Sequence, residues 1–145
     1  MVESVAPGET PAAPPVVEGP VQGQIVLLVE NDAELRRAMV LLLEKWGVEV
    51  IEAASGDEAL ALIDDLGILP DALIADHQLG EGRSGLDTIL ALRTRAPDLP
   101  ARLITADRSE TLAEAARAAG VTLLQKPVAP DALRRFLAGP TTKGP

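Results

Sequence analysis

The chain has 145 residues, with 13 Lys and Arg against 22 Asp and Glu and a formal charge of −9. That balance excludes a nucleic-acid binder working through a basic surface, because neutralising phosphates needs a positive field. Cysteine is absent and His77 is the single histidine, which excludes disulfide scaffolds, thiolate zinc sites and multi-histidine metal centres.

Apolar residues make up 47% of the chain, yet Trp46 and Phe136 are its only aromatics, so the expected core is aliphatic. No apolar run approaches the ~20 residues of a membrane span, and no basic-then-apolar leader opens the chain. A cytoplasmic segment without membrane contact is the expectation. Residues 1–23 hold Pro7, Pro11, Pro14, Pro15 and Pro20, three glutamates and no Lys or Arg. Such a stretch cannot bury enough surface to offset its ordering entropy, and it is expected to be a linker, either a bare tail or a tether. Residues 24–138 are the expected folded domain, and 139–145 a second tail.

Within that domain, Ile25–Val29 is a β-branched apolar run of the kind expected for a strand buried on both faces. Asp32 caps a helix to about Trp46, stopped by Gly47. Val48–Ile51 reads as a second strand, and Ser55-Gly56-Asp57-Glu58 as a capping box opening a helix to about Leu66. Ala72–Ala75 is a third buried strand ending at Asp76, followed by a Gly-rich loop and a helix near Leu86–Arg95. Arg102–Thr105 is a fourth strand, with an Ala-rich helix from about Ser109 to Ala119. Thr122–Gln125 is a short fifth strand, and Pro130–Leu137 a last helix. Five strand–helix units with short connections imply a doubly wound α/β fold, a parallel sheet covered by helices on both faces.

In such sheets a ligand binds beyond the carboxyl ends of the strands. The polar residues there are Glu30-Asn31-Asp32, Asp76, Thr105 and Lys126. Taken singly each has a plain structural use as a turn, cap, strand or loop residue. Taken together, carboxylates, a hydroxyl and a lysine at one sheet edge form an inventory for phosphoryl transfer. A hard divalent cation would relieve carboxylate repulsion, and Mg2+ takes a few oxygen ligands plus water and phosphate oxygens.

Four stretches in order, Ile25–Asp32, Ala72–Asp76, Leu103–Ala106 and Lys126-Pro127, resemble the receiver domains of two-component response regulators. The resemblance covers about residues 24–138. It implies the flavodoxin-like strand order 2-1-3-4-5, and Asp76 as acceptor of a phosphoryl group from a phosphohistidine. The partner would be a histidine kinase or a histidine phosphotransfer domain. It further implies Mg2+ held by Glu30, Asn31, Asp76 and the backbone carbonyl of Gln78, with Asp32 as an alternative ligand. Thr105 would hydrogen-bond the aspartyl phosphate, Lys126 would ion-pair with it, and Lys126-Pro127 would be a cis peptide.

The chain departs from the family pattern in three places. Asn31 stands where a second carboxylate is usual, so weaker metal binding is expected. The loop after Asp76 has Gly80 where proline is common and is one residue longer, similar to receivers of hybrid sensor kinases; His77 in it reads as a partly exposed side chain shaping access to Asp76. Leu123 replaces the aromatic that partners Thr105 in the family's switch, so a reduced response at that face is expected. On the first helix, Leu35, Met39, Leu42, Leu43 and Trp46 share a face, at about 100° per residue. Val40 and Leu41 are expected to point away from it, as a patch for docking or for a homodimer.

The function expected is phosphoryl acceptance within a phosphorelay, not an enzymatic activity of the segment. Eighteen residues follow Pro127, which suggests a stand-alone regulator or the C-terminal receiver of a hybrid histidine kinase. Two other readings stand beside it: a receiver-like protein-interaction module with little phosphorylation, and a small hydrolase using an aspartyl-phosphate intermediate.

Overall fold

A computed structural model describes residues 21–139; the expected leader up to residue 20 and the tail from residue 140 lie outside the described residues. In chain order the elements are β1 (Ile25–Val29), α1 (Ala33–Lys45), β2 (Glu49–Ala53), α2 (Gly56–Leu66), β3 (Ala72–Asp76), α3 (Gly85–Arg93), β4 (Ala101–Thr105), α4 (Glu110–Ala118), β5 (Thr122–Gln125) and α5 (Pro130–Ala138). All five strands pair in parallel, in the order β2-β1-β3-β4-β5. The expected fold and strand order are both found. Among the described residues no helix is long and apolar enough to cross a membrane.

Local chemistry sets the helix boundaries. Asp32 Oδ1 accepts from the N–H groups of Glu34 (3.0 Å) and Leu35 (3.2 Å), which caps α1. Ser84 and Ser109 cap α3 and α4 in the same way, and α5 starts on Pro130 with no side-chain cap. The capping box of α2 is offset by one residue: Ser55 Oγ accepts from Glu58 N–H, but Glu58 Oε1 accepts from Ala54 N–H at 2.7 Å rather than from Ser55. The second strand starts one residue later than expected and runs to Ala53, because its pairing with β1 continues to Val29. Helix α3 ends at Arg93, whose guanidinium turns to the carbonyls of Leu99, Ala119 and Gly120.

The alternation of a strand divides the core into two layers. Leu27 and Val29 of β1, with Leu73, Ala75 and Leu103, face helices α2, α3 and α4. Val26 and Leu28, with Ile74 and Ile104, face α1 and α5. Each fully buried leucine here contributes roughly 1.5–3 kcal/mol relative to exposure. Val21, which composition places in the leader, is fully buried in the α1–α5 layer. The packed body thus includes residues before Gln24.

One expectation about α1 is corrected. Val40 is buried with Met39 and Leu43, whereas Leu41 is 55% exposed. The apolar residues of this helix cover a broad arc, and the arc alone does not say which part meets the sheet. The packed centre is Leu43, with Val40 roughly 60° to one side of it. Leu35 and Leu42, on the other side, are only partly buried against the core. Leu41 is the residue of this pair that faces solvent.

Candidate functional site

Parallel strands all end at the same edge, so the last residues of β1, β3, β4 and β5 are brought together there. Glu30 follows β1 and its N–H donates to Ala53 O at 3.0 Å, extending the pairing with β2. Asp76 is the last residue of β3 and Thr105 the last of β4. Lys126 follows β5, anchored by its N–H to Thr105 O at 2.9 Å, and the Lys126-Pro127 bond is cis. Glu30, Asp76 and Thr105 are buried polar residues, at 1%, 4% and 0% exposure.

Lys126 Nζ donates to Asp76 Oδ2 at 3.0 Å and stands 4.0 Å from Glu30 Oε1. Asp76 Oδ1 accepts from Gln78 N–H at 3.2 Å. Glu30 Oε2 accepts from Asp32 N–H at 3.0 Å, but Glu30 Oε1 is buried without a hydrogen-bond partner. Burial pushes the Glu30 carboxyl up to about 7; the Asp32 N–H bond and Lys126 pull it down, and neighbouring Asp76 raises it. A buried carboxylate oxygen without a donor, beside a second carboxylate, is a site suited to a cation. The residues therefore fit a hard divalent ion of the Mg2+ type, which makes do with one or two carboxylates. No group of three or more His, Cys, Asp or Glu among the described residues is gathered to hold a metal.

The remaining expected positions fall around this centre. Asn31 is exposed at the rim, and its amide nitrogen lies 3.9 Å from where a side chain at Gly80 would begin. Asp32 is exposed and its Oδ1 is taken by the α1 cap. Thr105 Oγ1 accepts from Asp107 N–H at 2.9 Å, which ties it to the following loop. Asp107 in turn accepts from Ser109 N–H, and that bond holds its carboxyl below the usual range. His77 is half-buried, with its backbone bonded to Ile104 O and Gly85 N–H. Leu123 is half-buried against the α2–α4 layer. Val40 lies in the core rather than beside the site, as described above.

Three features escaped the sequence reading. Gly85 is one: a side chain there would collide with the carbonyl oxygen of Asp76, so the helix start packs directly on the backbone of Asp76. Arg36 is another, with Nη1 donating to Glu30 O at 2.7 Å and Nε to Glu52 Oε1 at 3.1 Å; nothing local in the sequence links these positions. The third is a groove of about 540 Å³ beside Lys126, between Leu35, Met39 and Leu42 of α1 and Val128 and Leu133.

Residues 26–138 match the family model described as the response regulator receiver domain. The chain is 35% identical over 114 residues to the alginate biosynthesis transcriptional regulatory protein AlgB of Pseudomonas aeruginosa, covering 78% of this chain and 24% of that protein. It is 39% identical over 85 residues to the transcriptional regulatory protein CpxR of Escherichia coli, covering 59% of this chain and 34% of that one. The chain thus spans about a quarter to a third of these relatives' lengths. Among solved structures, the Vibrio cholerae chemotaxis protein CheY4 is 28% identical with a TM-score of 0.70, over 79% of this chain and 95% of that one. A receiver domain protein of Clostridium thermocellum shares the fold at 22% identity, with a TM-score of 0.74 over 83% and 95% of the two chains. With this match across the folded body and a doubly wound sheet ending on Asp76 and Lys126, the chain belongs to the response regulator receiver domains of two-component systems.

Proposed function

We propose that this receiver accepts a phosphoryl group on Asp76 from the phosphohistidine of a histidine kinase or histidine phosphotransfer domain. The observation that carries the reading is a buried carboxylate at a strand end, with Lys126 Nζ at 3.0 Å. An Asp76 carboxylate oxygen forms the new bond to phosphorus while the donor's phosphorus–nitrogen bond breaks. The departing imidazole nitrogen keeps the electron pair and takes up a proton. Lys126 offsets charge on the transferring oxygens. The Thr105 hydroxyl accepts from Asp107 N–H and keeps its own proton free to donate to the phosphoryl group.

Glu30, Asp76 and the carbonyl of Gln78 would hold Mg2+, with the amide oxygen of Asn31 at the rim. When bound, the ion supplies neutralisation of charge on the carboxylates and the phosphoryl oxygens. The apolar groove beside Lys126 offers a seat for the helix that carries the donor histidine. On this reading the segment is a stoichiometric acceptor and not a turnover enzyme, and it works on the cytoplasmic side, where such donors are found.

Incubation of the chain with acetyl phosphate and Mg2+, followed by intact-mass measurement, tests this. The expected result is a gain of one phosphoryl group, labile to hydroxylamine and absent in Asp76→Asn. The exposed Asn31 and the aliphatic Leu123 favour a second reading, a receiver-like interaction module with weak phosphorylation. An unmodified mass under these conditions would select it.

A further inference from the structure

Glu30 is held at almost every polar atom. Its N–H is fixed by Ala53 O at 3.0 Å, and its Oε2 by Asp32 N–H at 3.0 Å. Its carbonyl oxygen lies at the end of β1, past the last paired residue of the strand. The donor that reaches it is a side chain, Arg36 Nη1, at 2.7 Å. The same guanidinium is braced from outside by Glu52 of β2, Nε to Oε1 at 3.1 Å, with the Arg36 side chain 21% and Glu52 50% exposed. Arg36 is itself aimed by the α1 cap, since its backbone N–H donates to Asp32 O at 2.8 Å.

We infer that Arg36 is a positioning residue for the cation site: it locks the Glu30-Asn31 peptide plane, so that Glu30 Oε1 faces inward beside Asp76 while Asn31 faces the rim. The inference rests on the metal reading given above. Its force comes from the donor set. Because Asn31 brings no charge and Asp32 is exposed and engaged in the α1 cap, Glu30 and Asp76 are the two buried carboxylates at this edge, and affinity depends on how well they are held. Without Arg36, the buried carbonyl of Glu30 would lose this donor, and an orphaned buried acceptor is unfavourable unless the peptide turns to find another. Without that anchor the backbone following β1 is less firmly fixed, and with it the placement of the Glu30 and Asn31 side chains relative to Asp76. Groups that support a metal ligand from behind characteristically affect affinity by about 10- to 100-fold when removed.

The test is Mg2+ titration of the full chain, followed by calorimetry and by the backbone amide signals of Asn31 and Gln78. The proteins compared are wild type, Arg36→Met, Arg36→Lys and Glu52→Gln. Arg36→Met is expected to weaken Mg2+ about 10- to 100-fold. Arg36→Lys, which keeps a donor but loses the planar fork, is expected to fall between it and wild type. Glu52→Gln, which removes only the exposed end of the brace, is expected to stay within about twofold. Arg36→Met that melts at lower temperature but binds Mg2+ as tightly as wild type overturns the inference; if that variant does not fold, wild-type affinity in Arg36→Lys does so. A wild-type chain that shows no Mg2+ response at all overturns the metal reading itself, so the two failures are distinguishable.

Discussion

Lys126 Nζ donates to Asp76 Oδ2 at 3.0 Å across fifty positions of sequence. That bond commits the lysine to one carboxylate and leaves Glu30 Oε1 4.0 Å away with no hydrogen-bond donor. The two carboxylates are thus held unequally: Asp76 accepts from Lys126 and from Gln78 N–H, whereas Glu30 Oε1 has no hydrogen-bond partner. The chemical consequences below follow from that asymmetry and from the packing around it.

The first concerns pH. Glu30 is raised from 4.5 to about 7, chiefly by burial, so the folded state keeps a proton that the unfolded chain releases. A raised carboxyl contributes stability that is fully present below about 4.5 and lost as pH climbs toward 7. Urea unfolding in EDTA is expected to show a loss on the order of 2 kcal/mol between pH 5 and 7.5. Glu30→Gln should flatten that difference, and saturating Mg2+ should reverse it in wild type.

The second concerns the missing acid. Asn31 is exposed at the rim, where a carboxylate would add charge without crowding the core. Asn31→Asp is expected to tighten Mg2+ by about an order of magnitude, since affinity for hard cations rises with ligand charge. Calorimetric titration at fixed ionic strength measures it.

A third prediction separates two neighbours on α1. Val40 is buried and Leu41 is 55% exposed. Val40→Asp places an unpaired charge in the core and is expected to cost about 3 kcal/mol or more, whereas Leu41→Asp should stay within about 0.5 kcal/mol. Denaturant unfolding reads both. Leu41→Asp is accordingly the variant in which a loss of phosphotransfer from a donor protein reports on docking rather than folding.

A fourth concerns the backbone at Asp76. A side chain at Gly85 would strike the carbonyl oxygen of Asp76, so Gly85→Ala is expected to destabilise by about 2–3 kcal/mol through overpacking. It should also lower phosphorylation by acetyl phosphate at temperatures where the variant remains folded. Gly80 has φ +79, and a side chain there would meet only the Asn31 amide nitrogen at an ordinary 3.9 Å, so Gly80→Ala should cost only about 1 kcal/mol, from backbone conformation. Thermal melts of the two variants provide the comparison.

Much of this site is legible in one dimension. Glu30, Asp76, Thr105 and Lys126 each end or follow a strand whose apolar run is readable, and parallel strands joined by short helical crossovers end on one edge. Val40 was misread because helical periodicity defines an arc of apolar residues but not the rotation of the helix within it; that rotation is set by contact with the sheet and with α5. Arg36 was missed because its partners, Glu30 O and Glu52 Oε1, become neighbours only when β1 and β2 pair.

The sequence by itself determined the elements, a parallel sheet and the polar residues at the strand ends, because caps, turns and apolar patterning are local physical effects; the strand order was implied only by the family resemblance. Tertiary structure alone decided the hydrogen bonding within the site. Which carboxylate receives the lysine, which oxygen is left bare, and which guanidinium holds the Glu30 carbonyl depend on distances between strands far apart in the chain. Burial removes the water that would otherwise make those differences of an ångström negligible.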